Sequence, residues 1–109
     1  MTDTQFTACV RECAAYTDRE SYISDMATSS IWGDSADAEI PQERMDAIGG
    51  IWDACNRSIK DISAAAGISN RKLAERFCIP QRTVEDWSRN VSKCPIYVSL
   101  MMQRCLGLI

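Results

Sequence analysis

Apolar side chains recur every three or four residues along most of the chain, which is the spacing of one face of an α-helix. In residues 3–15 the series is Phe6, Cys9, Val10 and Cys13. Thr17 and Glu20 match a capping box, with Thr17 predicted as the N-cap of a second helix. The inward side chains of that helix are predicted to be Tyr22, Ile23 and Met26. The N-terminal part therefore predicts two amphipathic helices.

A longer helical series follows a polar, acidic linker at residues 33–39. Pro41 suits the first position of a helix, and the apolar spacing predicts a helical stretch from Pro41 to about Ala66. Gly49 and Gly50 are expected to break or bend it, because each glycine costs about 1 kcal/mol relative to alanine in a helix interior. Gly67 is the predicted stop. No segment alternates polar and apolar residues as a half-buried strand does, so the predicted fold class is all-α.

Two short helices are predicted between residues 69 and 89. Ser69 suits the N-cap of the first, which ends at Phe77 and turns Leu73 and Ala74 inward. A tight connection at residues 78–80 leads to the second, which begins near Gln81 and buries Val84 and Trp87. Two short helices joined by such a turn form a helix-turn-helix. A last helix is predicted from Pro95 to about Cys105, with these side chains inward: Val98, Met101, Met102 and Cys105.

This segment resembles the phage lambda-repressor and Cro family, also called the xenobiotic-response-element type. The family pattern is a short helix carrying Leu-Ala, a turn, Thr followed by Ile or Val, and Trp or Leu three residues on, with a later Gly and Pro. The matching positions are Leu73-Ala74, Ile79, Thr83-Val84, Trp87, Asn90 and Pro95. The resemblance covers about residues 55–106. It implies a lambda-repressor-like helix-turn-helix bundle at residues 41–109, preceded by an acidic helical extension at residues 1–40.

Two positions depart from the family pattern, which has glycine after the first short helix and again after the second. This chain has Cys78 at the first position and Asn90 at the second. Glycine is favoured there because the backbone often becomes left-handed at the end of a helix. Asparagine is the next best residue for that conformation, whereas Cys78 has to adopt it without such help.

In the resembled family the second short helix lies in the major groove of DNA. The resemblance implies that base edges are read from its outer face by Gln81, Arg82, Thr83 and Asp86. Glutamine can bond adenine in a bidentate way and arginine can bond guanine. The residues implied to contact phosphates are Asn70, Arg71, Arg89 and Lys93. The carboxylate of Asp86 is the awkward member, since it faces phosphates unless it accepts a hydrogen bond from cytosine.

The charge is distributed unevenly along the 109 residues, although the net value is only −3. Residues 1–54 hold 3 basic and 11 acidic side chains, giving −8, and residues 55–109 hold 9 basic and 4 acidic, giving +5. This asymmetry is typical of proteins that bind nucleic acid or an oppositely charged partner. The length favours a single hydrophobic core.

Six cysteines and no histidine narrow the chemistry further. No Cys-x-x-Cys pair is present, so the usual zinc spacings are missing, and most of the cysteines are predicted to be buried, reduced thiols. We expect no metal and no cofactor, and no enzymatic activity, because there is no phosphate-binding Gly loop and no nucleophile in a recognised turn. The N-terminus lacks the features of a secretory signal and no segment is long and apolar enough to span a membrane, so we expect a cytoplasmic protein.

The leading interpretation is a sequence-specific DNA-binding transcriptional regulator whose partner is double-stranded DNA. Proteins of the resembled family commonly pair, and we expect a homodimer with the apolar C-terminal helix as a contact. The acidic N-terminal helices are expected to serve dimerisation or to bind a protein partner. The alternative is a protein-interaction module, such as an adaptor, an antitoxin-like neutraliser or an inhibitor, that keeps the scaffold without binding DNA. Glu85, Asp86 and the overall acidity favour this alternative.

Overall fold

A computed structural model of the chain describes residues 1–34 and 38–109. Within these ranges the secondary structure is entirely helical, as predicted. The elements are α1 (Asp3–Cys13), α2 (Arg19–Ala27), a 3₁₀ helix (Ser30–Trp32), α3 (Gln42–Cys55), α4 (Ile59–Ala66), α5 (Asn70–Phe77), α6 (Gln81–Ser88) and α7 (Ile96–Cys105). Internal contacts divide the chain into unit 1, Met1–Cys55, and unit 2, Asn56–Ile109. None of the helices described has the length and apolarity needed to cross a membrane.

In unit 1, α1 and α2 begin at well-formed caps. Thr2 and Gln5 make a reciprocal capping box at the start of α1. The predicted cap of α2 was wrong by one residue, because Asp18 rather than Thr17 accepts the hydrogen bond from the Ser21 backbone N–H. Hydrogen bonds from the Ser21 backbone N–H and hydroxyl lower the pKa of the Asp18 carboxyl, which keeps this cap charged at neutral pH.

The core of unit 1 lies where α1 and α2 pack against α3. Most of the predicted inward residues are buried there, while Phe6 and Val10 are only partly buried. Tyr22 is fully buried, and its hydroxyl donates a 2.7 Å hydrogen bond to the Cys9 carbonyl. The buried set is Cys9, Cys13, Tyr22, Ile23, Met26, Ala27, Ile48 and Ile51.

A second set of contacts in unit 1 surrounds Trp32. Its indole N–H donates to the Met26 carbonyl at 2.7 Å, and the Arg44 guanidinium lies 4.5 Å above its ring. Arg44 also forms an ion pair with Asp34 and donates to the Ala27 carbonyl at 3.3 Å. These contacts fasten the end of α2 and the 3₁₀ helix to α3, so Trp32 has a structural role in this unit.

The helical stretch predicted over residues 41–66 is divided into two helices in the structure. Gly49 and Gly50 lie inside α3, which continues through them, so the division between the two helices is not at the glycines. The chain instead leaves the helix at residues 56–58, and α4 begins at a capping box formed by Ser58 and Asp61. Because α3 packs with α1 and α2, the contacts divide the chain after Cys55, whereas the sequence placed the division at 40/41. In the predicted linker, residues 35–37 lie outside the described residues.

Unit 2 has its own hydrophobic cluster, although the chain length predicted a single core. The buried members come from α4, α5, α6 and α7: Ile59, Ile62, Leu73, Ala74, Val84 and Met102. Gln103 is also fully buried, and its amide oxygen accepts a 3.0 Å hydrogen bond from Arg57 while its amide nitrogen donates to Ser99 at 3.1 Å. The predicted inward positions Met101 and Cys105 were wrong, since both side chains are exposed.

Candidate nucleic-acid interface

The turn between α5 and α6 sets the position of the candidate interface. Cys78 adopts the left-handed conformation with φ of 55°, as expected for this position. The Ile79 N–H reaches back to the Ala74 carbonyl at 3.0 Å, which is the bond that closes a Schellman-type helix end. Pro80 follows as the N-cap of α6, and its carbonyl accepts from the Thr83 N–H at 3.0 Å. The turn therefore ends α5 and starts α6 within three residues.

One face of α6 is fixed in the core and the opposite face is open. Val84 is fully buried and Trp87 is partly buried against the same cluster, as predicted. Gln81 and Arg82, at the start of the helix, are both exposed, while Thr83 is half-buried. Of the implied base-reading residues, the first two thus lie at the surface, with Thr83 partly covered.

The two exposed residues at the start of α6 differ in their contacts. The Gln81 side-chain amide donates a 3.0 Å hydrogen bond to the Glu85 carboxylate one turn later. The Arg82 side chain forms no hydrogen bond or ion pair within residues 1–34 and 38–109. The N–H donors of the Arg82 guanidinium on α6 are therefore available to bind a ligand.

Asp86 is half-buried and forms an ion pair with Arg89 at 3.2 Å. The structure thus pairs an implied base-reading residue with an implied phosphate ligand. Arg89 is itself exposed, and ion pairs at the protein surface contribute about 0–1 kcal/mol. Binding of a phosphate by Arg89 would have to compete with this carboxylate at a small free-energy cost.

The remaining implied phosphate ligands lie at the start of α5 and after α6. The Asn70 side-chain oxygen accepts a 3.2 Å hydrogen bond from the Ser63 hydroxyl, which leaves its amide N–H groups as donors. The Arg71 side chain is 74% exposed and pairs with Glu75 at 3.3 Å. Lys93 is exposed and has no partner in the described part of the chain.

Sequence reasoning overlooked Lys72, which is next to Arg71 in the chain. Lys72 is 70% exposed and stands 3.7 Å from the same Glu75 carboxylate that pairs with Arg71. It lies in the first turn of α5, where a cation and backbone N–H groups can both approach a phosphate. The position of Lys72 next to Arg71 could have identified it from the sequence. Glu75, the carboxylate that pairs with Lys72, is also evident there, three residues later.

Comparisons with protein-family models, with curated protein sequences and with solved structures gave no match for this chain. In the described ranges, no group of three His, Cys, Asp or Glu side chains is placed to hold a metal ion.

Proposed function

We propose that this protein is a sequence-specific DNA-binding transcriptional regulator, and that α5, the turn and α6 form a lambda-repressor-like helix-turn-helix. The observation that carries the proposal is the exposed, unpartnered guanidinium of Arg82 beside exposed Gln81 at the start of α6. In a helix-turn-helix these positions enter the major groove. The proposal includes a cytoplasmic location and needs no cofactor.

In this proposal Arg82 reads guanine through its two parallel N–H donors. Gln81 exchanges its bond with Glu85 for a bidentate contact with adenine, which costs little because the existing bond is exposed to water. Thr83, which is half-buried, contacts a thymine methyl or a phosphate with its outer edge. Asp86 holds Arg89 at the phosphate backbone rather than reading a base, unless the site presents cytosine there.

Positioning on the duplex comes from groups on either side of α6. Asn70, Arg71 and Lys72 lie in the first turn of α5, and Arg89 and Lys93 lie just after α6. Phosphate contacts of this kind fix the register of the protein without carrying sequence information. All of these groups belong to unit 2, whose 9 basic and 4 acidic side chains give a net charge of +5 that favours binding to phosphates.

A homodimer accords with the outer surface of α7. Tyr97 is 66% exposed and Met101 is 58% exposed, one helical turn apart, and Ile96 is exposed beside them. An isologous contact through this surface would cover the apolar side chains and present two copies of α6. A dimer of this kind reads two half-sites of a palindrome spaced by one turn of DNA.

Two substitutions test the proposal and separate specific from general binding. Arg82→Ala is expected to cost about 1–3 kcal/mol on the selected duplex and to relax preference at one base step. Lys93→Ala is expected to weaken all duplexes alike. The measurement is titration of each variant against a duplex selected from a random pool and against an unrelated duplex of equal length. Equal losses on both duplexes for both variants would show that Arg82 is not a base reader.

The alternative is a protein-interaction module on the same scaffold, and a specific observation favours it. Four of the side chains proposed to bind DNA are engaged with carboxylates three or four residues away: Gln81 with Glu85, Arg71 and Lys72 with Glu75, and Arg89 with Asp86. A surface neutralised in this way attracts phosphates less strongly. Failure to enrich any sequence from the random pool, with no binding at low salt, would favour this alternative. The acidic unit 1 would then be the surface that meets a basic protein partner.

A further inference from the structure

Ser63 is a buried polar side chain in the last turn of α4, and its hydroxyl is directed at α5. The residue is 8% exposed. Its hydroxyl donates a 3.2 Å hydrogen bond to the side-chain oxygen of Asn70, the first residue of α5. Alanine, which fills the next three positions of α4, has the higher helix propensity. What serine adds at this position is therefore the bond to Asn70 and not a more stable helix.

Both ends of this hydrogen bond are held by the core of unit 2. Ile62, next to Ser63 on α4, and Leu73, three residues after Asn70 on α5, are fully buried in the same hydrophobic cluster. The turn between the two helices is closed by the Ile68 backbone N–H, which donates to the Ser63 carbonyl at 3.1 Å. Because the backbone on either side is fixed, the Ser63 hydroxyl restricts the rotamer of the Asn70 side chain.

The direction of the hydrogen bond decides which atoms of Asn70 face a ligand. The side-chain oxygen is engaged as the acceptor, so the amide N–H groups are the donors that remain. Asn70 is half-buried and is followed in the first turn of α5 by the exposed side chains of Arg71 and Lys72. An amide donor beside two cations at the start of a helix suits a phosphate oxygen.

We propose that Ser63 is a positioning residue for DNA binding, which holds the Asn70 amide in the orientation that donates to a phosphate. The inference rests on the proposed function and adds to it a residue that does not itself touch DNA. A side chain already fixed in its bound rotamer loses less conformational entropy on binding, so the affinity for the duplex is higher. Because phosphate contacts carry no sequence information, the gain applies to every duplex alike.

Ser63→Ala and its matched control Ser99→Ala test this role in the full chain. Ser99 is also a buried serine of unit 2, 5% exposed, and its hydroxyl accepts a 3.1 Å hydrogen bond from the side-chain amide of Gln103. Each change removes one hydroxyl that bonds an amide, and of the two amides Asn70 is the proposed phosphate ligand. We expect Ser63→Ala to weaken binding to the selected and the unrelated duplex equally, by about 2- to 10-fold, which is the cost of losing one such hydrogen bond. Ser99→Ala should leave both affinities unchanged.

A double-mutant cycle with Asn70→Ala separates positioning from a general loosening of unit 2. Asn70→Ala removes the phosphate donor, so Ser63→Ala in that background is expected to cause no further loss of affinity. A second measurement needs no DNA. In NMR relaxation of the free chain the Asn70 side-chain amide should be rigid, and Ser63→Ala should make it mobile while Ser99→Ala does not. Circular dichroism checks that the variants remain helical.

Three results would overturn the role of Ser63 while DNA binding itself stands. These are wild-type affinity in Ser63→Ala, an equal loss in Ser99→Ala, and an undiminished loss from Ser63→Ala in the Asn70→Ala background. An Asn70 amide that is as mobile in the wild-type chain as in Ser63→Ala would contradict the role without any duplex. If the wild-type chain binds no duplex at low salt, the proposed function is wrong and the role of Ser63 fails with it.

Discussion

At the scale of single residues, the turn before α6 shows how one backbone angle shapes the candidate interface. Cys78 and Asn90 are the non-glycine residues with positive φ in the described ranges, at 55° and 60°. They follow α5 and α6, and both were identified from the sequence as departures from a glycine pattern. What the sequence did not indicate was the pairing of outward side chains with their neighbours, such as Gln81 with Glu85. Such pairs depend on rotamers that exposed side chains choose at small free-energy cost.

Replacing Cys78 with glycine is expected to stabilise unit 2 by about 0.5–1 kcal/mol. The left-handed conformation costs an L-residue roughly 1–2 kcal/mol, and the greater freedom of glycine in the unfolded chain offsets part of the gain. Cys78→Ala is the matched control, because it removes the thiol and keeps the strained conformation. The measurement is the protection of α5 and α6 amides against hydrogen exchange. Equal protection in both variants would contradict the strain assigned to Cys78.

At the scale of helices, apolar spacing predicted most of the elements. It failed where one continuous apolar series supplies residues to two separate cores. The series from Met45 to Ala66 is uninterrupted in sequence, yet Ile48 and Ile51 are buried in unit 1 and Ile59 and Ile62 in unit 2. The spacing reports which face is apolar and carries no information on which neighbour covers it.

The face of α7 was misjudged for a related reason. Its buried side includes the polar pair Ser99 and Gln103, which hydrogen-bond each other, and Gln103 also accepts from Arg57. When only apolar residues are counted, the predicted buried face of this helix is displaced around its axis and includes Met101. In the structure Met101 is exposed. A buried glutamine becomes predictable only when its partner, which is distant in sequence, is known.

Within α3 the two adjacent glycines are expected to respond differently to alanine. A Cβ on Gly50 meets no atom within 4 Å, so Gly50→Ala should stabilise unit 1 by about 1 kcal/mol through helix propensity. A Cβ on Gly49 would lie 2.6 Å from the Arg19 guanidinium, which holds Asp53 through two hydrogen bonds of 3.0 and 3.2 Å. Gly49→Ala must displace that side chain, and its gain should be smaller or absent. Thermal unfolding followed by circular dichroism compares the two, and an equal gain for both would show that the Arg19 contact imposes no constraint.

At the scale of the whole molecule, the division into two units coincides with the division of charge. Unit 1 has 3 basic and 11 acidic side chains, giving −8, and unit 2 has 9 basic and 4 acidic, giving +5. The sequence predicted an acidic first half and a basic second half, with a boundary at 54/55 that is one residue from the boundary between the units. Counting charges requires no knowledge of how the helices pack. The existence of two cores was not foreseen, since each unit is near the lower limit of what folds around a core of its own.

The salt dependence of binding decides between the two proposed functions. If DNA is the partner, unit 2 releases counterions from the phosphates that it neutralises, and the logarithm of the binding constant falls by about 0.9 per phosphate for each tenfold rise in salt. Four cationic phosphate contacts, from Arg71, Lys72, Arg89 and Lys93, then predict about a 100-fold loss of affinity between 50 and 200 mM salt. The matched pair Arg89→Gln and Lys60→Gln sharpens the measurement, because both remove one positive charge and only the first removes a proposed phosphate contact. Arg89→Gln should reduce the salt slope by about one contact, while Lys60→Gln should leave it nearly unchanged. The same change in slope for both variants would mean that DNA responds to the net charge of the unit and not to a defined surface around α6, and sequence-specific regulation would lose its structural basis.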